Sequence, residues 1–366
     1  MKVLTLLGTR PELIKLSEIM KKLDKHTDHV FVHTGQNFDR QLNDVFYGEM
    51  GIRKPDHYLG VSGKSLADTI GNILRGTERV LDIEEPDAVV ILGDTNSALG
   101  GIIAKRKKIP LFHLEAGNRC FDPNVPEEIN RTIMDHIGDV NMVYSENARR
   151  NLLDEGVAKD RIFTMGSPMR EVLDVHMSAI HNNDILDRLK LEAGKYFVVS
   201  IHRDENVEIP ENFTRVVTIL NTMADKYKVP IIVTTHPRLR KKIDSEGLRF
   251  HSLVLLHEPF GFFDYVKLQE ASRCVVSDSG TIAEESAMLH FPAVTIRNAM
   301  ERPEAVDVGS ITMSGLDVQS VIECISVAED VFFDTPDGYD VYDCSGRVLR
   351  AILSYTPYIN KYVWRK

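Results

Sequence analysis

Short apolar runs alternate along the chain with longer stretches in which apolar residues recur every three or four positions. The stretch PELIKLSEIMKKL illustrates the second pattern. Its apolar residues share one face of a predicted helix: Leu13, Leu16, Ile19, Met20 and Leu23. Alternation of this kind is typical of strand–helix units that build a parallel sheet.

The apolar runs predict strands in two series. The first series is VLTLL, HVFVHTG, AVVILGD, PLFHLEA and VNMVYS. The second begins near residue 195 with YFVVSIH, PIIVTTH, SLVLLH, CVVSDSG and PAVTIRN. A polar, helical stretch at 169–194 separates them, which indicates a domain boundary near residue 168. We therefore predict two doubly wound α/β domains, with a ligand bound in the cleft between them beyond the strand ends.

Composition narrows the class of protein. The chain has 366 residues, of which 43% are hydrophobic and 27% charged, as in soluble proteins large enough for two domains. A net charge of −10 argues against a nucleic-acid partner. Four widely spaced cysteines predict a reducing compartment, and we find neither a signal-peptide pattern nor an apolar stretch of membrane-spanning length. We expect a cytoplasmic protein without a membrane partner.

The segment VVSDSGTIAEES reads as a strand, a polar turn and a helix. Ser279 or Asp278 could cap that helix by accepting hydrogen bonds from its first N–H groups. A capping box would then place an acid at Ile282, whereas Glu284 and Glu285 lie one turn further in. A ligand with an anion at the helix N-terminus and hydroxyl groups one turn deeper would use both features. Both interpretations remain open from the residues alone.

Charged residues follow several other predicted strands. In GTRPE, Arg10 starts a helix that carries Lys15 one turn later, where cations oppose the helix dipole unless an anion binds there. Asp94 follows one buried strand and Glu115 follows the next. Carboxylates gathered at neighbouring strand ends repel one another unless a substrate or a cation uses them. They could equally be unrelated turn acids and solvated charges.

The motif PEEINR starts a further helix and places Glu127 and Arg131 four residues apart on one face. In the second half, His202 and His236 each end a predicted strand, although a single histidine is more often structural than catalytic. A last strand is followed by four charged residues: Arg297, Glu301, Arg302 and Glu304. Dense metal-ligand spacings, a G-x-G dinucleotide fingerprint and a P-loop are all missing from the sequence, so we predict neither metal nor cofactor.

Taken in order, these motifs carry a resemblance. GTRPE, GDTNS, HLEAGNR, PEEINR, HRDEN, THP, SDSG-x-I-x-EE and RPEA resemble the non-hydrolysing UDP-N-acetylglucosamine 2-epimerase family from residue 3 to the C-terminus. The resemblance implies the GT-B fold of two Rossmann-like domains, with a C-terminal helix packed back on the first domain. The predicted domains are then residues 1–168 with 345–366, and residues 169–344.

The resemblance also implies roles. Ser279 and the Gly280 N–H would meet the diphosphate of UDP, and Glu285 the ribose hydroxyls. The residues implied for the chemistry are Asp94, Glu115, Glu127, Arg131, Lys15 and His202. Those implied for binding the UDP-sugar are Arg10, Asn118, His236, Ser279, Gly280, Thr281, Glu285 and Arg302.

The family's route explains these residue types. A sugar C2–H is scarcely acidic, so the C1–O bond breaks first and UDP leaves while carboxylates stabilise the oxocarbenium character at C1. A base then removes the C2 proton to give a 2-acetamidoglucal. Protonation on the opposite face and re-addition of UDP complete the inversion.

EAGNRCFD, SDSGT and the tail ILSYTPYINKYVW resemble one branch of the family. That branch converts UDP-2-acetamido-2,6-dideoxy-L-talose to UDP-N-acetyl-L-fucosamine for surface polysaccharide. Asn118, Cys120, Phe121 and Thr281 would line the sugar, although Phe121 could instead be a core residue. The alternatives are a UDP-GlcNAc/UDP-ManNAc 2-epimerase, a GT-B glycosyltransferase, or a non-catalytic UDP-sugar sensor. A homodimer is expected.

Overall fold

The structure is a computed structural model, and it describes residues 1–36, 46–235, 242–243, 249–330 and 332–366. The chain forms two compact units. Unit 1 comprises residues 1–175 and 337–366, and unit 2 comprises residues 176–336.

Unit 1 is built on a seven-stranded parallel sheet in the order β3-β2-β1-β4-β5-β6-β7. Its strands are β1 (Lys2–Leu7), β2 (Asp28–His33), β3 (His57–Tyr58), β4 (Ala88–Leu92), β5 (Leu111–Leu114), β6 (Val140–Val143) and β7 (Ile162–Thr164). The strand order reverses between β1 and β4, which makes the carboxyl end of these two strands the topological switch point.

Unit 2 repeats the arrangement with six parallel strands in the order β10-β9-β8-β11-β12-β13. Its strands are β8 (Phe197–Ser200), β9 (Ile231–Thr234), β10 (Val254–His257), β11 (Cys274–Ser277), β12 (Ala293–Thr295) and β13 (Thr312–Met313). Two doubly wound Rossmann-type units of the GT-B kind confirm the predicted fold class.

Helices connect the strands. The α-helices described from end to end are α1 (Arg10–His26), α2 (Leu66–Glu84), α3 (Gly101–Arg106), α4 (Pro126–Ile137), α5 (Glu146–Asp154), α6 (Met169–His181), α7 (Ile185–Leu189), α8 (Asp204–Val207), α9 (Pro210–Tyr227), α10 (Phe262–Glu270), α11 (Ile282–Leu289), α12 (Pro303–Asp307), α13 (Val318–Ala328) and α14 (Cys344–Tyr358). Short 3-10 helices span Asn96–Gly100 and Lys159–Arg161, and a π-helical turn follows α14 at Ile359–Val363. Among the described residues, no helix combines the length and the apolar character needed to cross a membrane.

The apolar runs are buried because helices cover both faces of each sheet. In unit 2, one face of β8, β9 and β11 packs against Phe213 and Leu220 of α9. The other face packs against Leu268 of α10 and Ala283 of α11. In unit 1, all five apolar residues of the predicted α1 face are buried, and α14 packs against α1.

The boundaries between the two units differ from those that the sequence indicated. The sequence placed them after residues 168 and 344, whereas the compact units change after Val175 and after Pro336. Helix α6 continues without a break through Val175. Because no loop or change of composition marks the middle of a continuous helix, the sequence pattern could not locate it.

Candidate active site

Charged residues follow three neighbouring strands of unit 1, at the carboxyl ends of these strands. β4 pairs in parallel with β1 on one side and β5 on the other, so their carboxyl ends are adjacent. Arg10 follows β1, Asp94 follows β4 and Glu115 follows β5. The sheet therefore brings Asp94 and Glu115 to adjacent strand ends.

Glu115 lies against a buried lysine. The Lys15 Nζ atom is 2.8 Å from Glu115 Oε2, and the Tyr144 hydroxyl donates to the same oxygen at 3.0 Å. The Lys15 side chain is only 2% exposed, and an ammonium removed from water needs such a charged partner. Tyr144, which sequence reasoning did not single out, also places its ring centre 5.4 Å from that ammonium.

The backbone of Glu115 has an unusual conformation. Its φ of +60° lies in the left-handed region, which costs a non-glycine residue energy and is often found at functional sites. The preceding strand end also has positive φ, at Gly93, where a Cβ would stand 4.0 Å from the Glu115 carboxyl carbon. A glycine at that position leaves space beside the carboxylate.

Asp94 is held by an arginine fork. Arg131 donates to Asp94 Oδ2 through Nε at 2.9 Å and through Nη2 at 2.6 Å. Asn130 donates to the Asp94 carbonyl oxygen at 2.9 Å. Arg131 is buried and its Nη1 also donates to Glu128 Oε2 at 2.9 Å. Arg131 thus lies between two carboxylates, one on the strand end and one on its own helix.

The two adjacent glutamates of PEEINR have different surroundings. Glu127 is half-buried in the first turn of α4. Glu128 accepts hydrogen bonds from the backbone N–H groups of Cys120 and Phe121, in addition to its contact with Arg131. The sequence singled out Glu127 and missed Glu128, because nothing in the motif shows which glutamate faces the preceding loop.

The loop after β5 carries three of the four predicted sugar-lining residues, namely Asn118, Cys120 and Phe121. Asn118 is buried, and its carbonyl oxygen accepts from Arg119 Nη1 at 2.7 Å. Phe121 is 77% exposed and has a left-handed φ of +55°. The alternative that Phe121 is a core residue is therefore wrong. A core position would have hidden the ring, whereas the loop turns it outward.

The motif GTRPE forms a capping box that fixes the start of α1. Glu12 Oε2 accepts from the Thr9 N–H at 2.8 Å and from the Gly8 N–H at 3.0 Å. Its other oxygen accepts from the Thr95 hydroxyl at 3.0 Å, which ties the loop after β1 to the loop after β4. Burial raises the pKa of Glu12 to about 7, although these hydrogen bonds oppose the shift. Thr-x-x-Glu before an apolar helix was the available signal for this residue.

Arg10 begins α1 at the carboxyl edge of the sheet, where the sequence predicted an anion-binding group. Its guanidinium carbon lies 5.5 Å from the centre of the Phe46 ring. A cation at this distance from an aromatic face is attracted to it, so Phe46 helps to orient Arg10.

In unit 2, Asp278 connects two strand ends. Its carboxylate accepts from the N–H groups of His202 and Arg203 and from the Asn206 amide. Burial alone would raise the pKa of Asp278, but the contacts with His202, Asn206 and Arg203 outweigh burial and leave it below its ordinary value. The idea that Asp278 caps the following helix is therefore wrong. Its oxygens accept from the loop after β8 instead.

The same carboxylate orients His202. Its Nδ1 atom is 3.1 Å from Asp278 Oδ1, and half of the imidazole surface is exposed. Because an ionised carboxylate can only accept, Nδ1 must carry a proton in this contact. His202 therefore has a fixed ring orientation at the carboxyl end of β8.

The SDSGT turn does not provide the cap that one interpretation required. α11 begins at Ile282, and its N-cap residue is Thr281, whose side chain makes no capping hydrogen bond. The Ser279 hydroxyl instead lies 3.0 Å from the Thr281 hydroxyl. Glu284 and Glu285 consequently fall in the first turn rather than a turn further in, because the helix starts later than Ser279 would have set it.

Buried partners explain both glutamates of that turn. Glu284 is 2.8 Å from Arg302 Nε, and Arg302 Nη1 donates to the Gly280 carbonyl at 3.0 Å. Glu285 accepts from the Gln269 amide at 2.6 Å. A Cβ on Gly280 would lie 3.2 Å from Arg302 Nη1, so the guanidinium packs closely on this glycine. Arg302 and the backbone of the turn thus pack together in one corner, where Glu284 pairs with the guanidinium.

The structure places each described candidate as follows. Unit 1 holds Arg10, Lys15, Asp94, Glu115, Asn118, Glu127 and Arg131. Unit 2 holds His202, Ser279, Gly280, Thr281, Glu285 and Arg302. His236 lies outside the described residues.

Comparison with known proteins assigns the family. The family model for UDP-N-acetylglucosamine 2-epimerase matches residues 21–352 of this chain. The chain belongs to the UDP-N-acetylglucosamine 2-epimerase family. It is accordingly an isomerase, and both the predicted enzyme class and the predicted family are confirmed.

Three members of the family are informative. A structure of UDP-N-acetylglucosamine 2-epimerase from Rickettsia bellii is 44% identical, with a TM-score of 0.93 over 100% of both chains. The Methanocaldococcus jannaschii UDP-GlcNAc 2-epimerase in complex with UDP-GlcNAc and UDP is 31% identical, with a TM-score of 0.91 over 97% of this chain and 100% of that one. UDP-2,3-diacetamido-2,3-dideoxy-D-glucuronate 2-epimerase from Pseudomonas aeruginosa is 32% identical over 88% of this chain and 91% of its own length.

Proposed function

We propose that this member of the family is a non-hydrolysing UDP-N-acetylhexosamine 2-epimerase that inverts C2 by eliminating UDP and adding it back. The observation that carries the proposal is the pair of carboxylates on adjacent strand ends, with Asp94 bound to Arg131 and Glu115 bound to Lys15. Ion pairs this buried contribute little to stability compared with apolar residues of the same size. Their use in the reaction is the better explanation.

In the first step the C1–O bond breaks and UDP leaves with the electron pair. The developing positive charge at C1 is stabilised by the carboxylates of unit 1. The leaving diphosphate is stabilised by Arg10, His202 and the N–H groups of the SDSGT turn. Ser279 would bind a phosphate oxygen through its hydroxyl, and Glu285 would accept hydrogen bonds from the ribose. Arg302 would lie near the nucleotide or the sugar, and Asn118, Thr281 and His236 complete the proposed ligand contacts.

In the second step a carboxylate removes the C2 proton, and the electron pair of the C–H bond forms the C1–C2 double bond of a 2-acetamidoglucal. A proton then returns to C2 on the opposite face, and UDP attacks C1. One proton leaves and one returns, so the reaction needs no redox cofactor. Asp94, Glu115 and Glu127 are the candidate bases for the two faces.

The relatives support a UDP-sugar as the ligand. The M. jannaschii enzyme has been crystallised with UDP-GlcNAc and UDP. The P. aeruginosa relative is named as a 2-epimerase of a different UDP-sugar, so members of this family share the reacting carbon and differ in the sugar.

For this chain we propose UDP-2-acetamido-2,6-dideoxy-L-talose as the substrate, in the synthesis of a surface polysaccharide. The support is the loop after β5, where Phe121 presents an exposed aromatic ring and Cys120 is half-buried beside it. Both side chains are apolar enough to face a 6-methyl group. UDP-GlcNAc is the alternative substrate, and an apolar pocket would reject its 6-hydroxyl by only about two orders of magnitude.

The test is incubation of the enzyme with each UDP-N-acetylhexosamine in D2O, without any acceptor. Deuterium at C2, together with the C2 epimer, is the expected result. A glycosyltransferase would need an acceptor and a sensor would leave the sugar unchanged, so absence of deuterium with every sugar would overturn the proposal. A higher kcat/KM for UDP-GlcNAc than for the 6-deoxy-L-talo sugar would overturn only the choice of substrate.

A further inference from the structure

Glu128 contacts more groups than any role in capping α4 requires. Its side chain is 12% exposed and it accepts from the Phe121 N–H at 3.0 Å and from the Cys120 N–H at 3.2 Å. The Cys120 Sγ atom is 3.3 Å from Oε2, and Arg131 Nη1 donates to the same oxygen at 2.9 Å. One carboxylate therefore holds both the loop after β5 and the arginine that binds Asp94.

The loop needs such support. Phe121 adopts a left-handed backbone conformation, which a residue with a bulky side chain keeps only where its surroundings impose it. The exposed ring makes little use of packing, so its own side chain does not impose that conformation. The hydrogen bonds that the consecutive N–H groups of residues 120 and 121 donate to Glu128 impose it.

We propose that Glu128 is a positioning residue which couples sugar selectivity to the reacting carboxylate, because it fixes the Cys120–Phe121 turn and Arg131 in one arrangement. The inference rests on the proposed function. In this arrangement a sugar that displaces Phe121 also shifts the Arg131 fork, and with it Asp94. The neighbouring Glu127 does not take part in this coupling.

The chemistry of a glutamine at this position makes the proposal testable. In Glu128→Gln the amide oxygen can accept from the turn, but the –NH2 group is a donor that cannot accept from Arg131 or from the Cys120 thiol. The side chain therefore cannot hold the turn and Arg131 together, and the turn is released. The variant keeps the shape of the side chain and removes its charge. Glu128→Asp keeps the charge and is one methylene shorter, which supplies the second variant if glutamine prevents folding.

The first measurement compares Glu128→Gln, Phe121→Ala and the double variant with the wild-type enzyme, using C2 deuterium exchange on the 6-deoxy and 6-hydroxy UDP-sugars. We expect kcat of Glu128→Gln to fall by about tenfold or more. We expect the ratio of kcat/KM between the two sugars to move to that of Phe121→Ala, with no further change in the double variant. The Kd for UDP should stay within about twofold of wild type, because Glu128 and Phe121 are not among the proposed diphosphate contacts.

The second measurement needs no activity. Alkylation of Cys120 in a Cys324→Ser background should be about fivefold faster in Glu128→Gln, because the released turn exposes the thiol, while Cys274 and Cys344 are buried. A selectivity ratio and an alkylation rate unchanged from wild type would overturn the inference, as would additive effects of Phe121→Ala and Glu128→Gln. Wild-type enzyme that exchanges no deuterium with any sugar would instead overturn the proposed function.

Discussion

Lys15 and Glu115, 100 residues apart in the sequence, form an ion pair of 2.8 Å at the carboxyl edge of the unit 1 sheet. The lysine comes from α1 and the glutamate from the end of β5, so the contact joins the two sides of the topological switch point. Because the ammonium is almost fully buried, the pair sets the position of the Glu115 carboxylate more firmly than an exposed ion pair could.

Replacement of Glu115 by glutamine should lower kcat by about two to four orders of magnitude, because the neutral amide neither stabilises positive charge at C1 nor accepts a proton. It should also lower the free energy of unfolding by about 1–3 kcal/mol, because the buried Lys15 loses its charged partner. Steady-state kinetics and urea unfolding measure the two effects. Lys15→Met/Glu115→Gln should recover part of the stability and none of the activity. A double variant no more stable than Glu115→Gln would contradict the assigned pair.

The fork of Arg131 on Asp94 predicts that lysine cannot replace this arginine. Lysine offers a single point charge in place of two N–H groups on Asp94 and a third on Glu128. We expect Arg131→Lys to lower kcat by about tenfold or more, with a smaller change in KM. Arg150→Lys is the matched control, since its ion pair with Glu146 is exposed. Equal kinetics for the two variants would show that the fork has no part in the reaction.

The contact of Arg302 with Gly280 predicts a cost for any side chain in the turn. The Cβ of Gly280→Ala would approach Arg302 Nη1 to 3.2 Å, which is tight enough to move the guanidinium. If this corner binds the diphosphate, the Kd for UDP should rise by about tenfold. Gly48→Ala is the control, because a Cβ there meets no atom of the described residues within 4 Å. Calorimetric titration with UDP compares the two, and an unchanged Kd for Gly280→Ala would remove the turn from the proposed site.

The strands that the sequence predicted are those with long apolar runs, because burial on both faces requires such runs. All ten are present. Among the described residues it missed three strands, β3, β7 and β13. Each is only two or three residues long and lies at an edge of its sheet. An edge strand this short pairs along one side only and needs few apolar residues. Its sequence therefore resembles a loop.

The candidate site also has residues that the sequence could identify and residues that it could not. Asp94, Glu115 and His202 could be found because each directly follows a recognisable strand. Glu128 and Asp278 could not be assigned their contacts, because their partners come from other segments of the chain. Asp278, for example, accepts from a residue 76 positions earlier. Such hydrogen bonds depend on the folded arrangement of loops, and hydrophobic periodicity does not indicate that arrangement.

The burial of His33 makes the stability of the fold depend on pH. It is buried at the end of β2, where its Nδ1 atom accepts from the Gly35 N–H at 3.0 Å and its ring stacks on Tyr58. Burial lowers the pKa of His33 from 6.5 to about 4, since the charged imidazolium would lose its hydration. Protonation would also remove the acceptor that the Gly35 N–H uses.

The lowered pKa predicts how stability depends on pH. Between pH 4 and 6.5 the unfolded chain binds a proton at His33 that the folded chain does not, so the His33 contribution to the free energy of unfolding rises with pH across this window. Glu12, whose pKa is raised to about 7, contributes with the opposite sign. The contribution is complete above pH 6.5 and lost as the pH falls to about 4, with a total on the order of 3 kcal/mol. His33→Asn, whose amide oxygen can accept from Gly35, should lack this contribution. The difference in the free energy of unfolding between wild type and His33→Asn, measured by urea unfolding, should therefore rise with pH across this window. His26→Asn, at an exposed position, should leave the slope as in wild type. A difference between wild type and His33→Asn that does not change with pH would assign the effect to other groups.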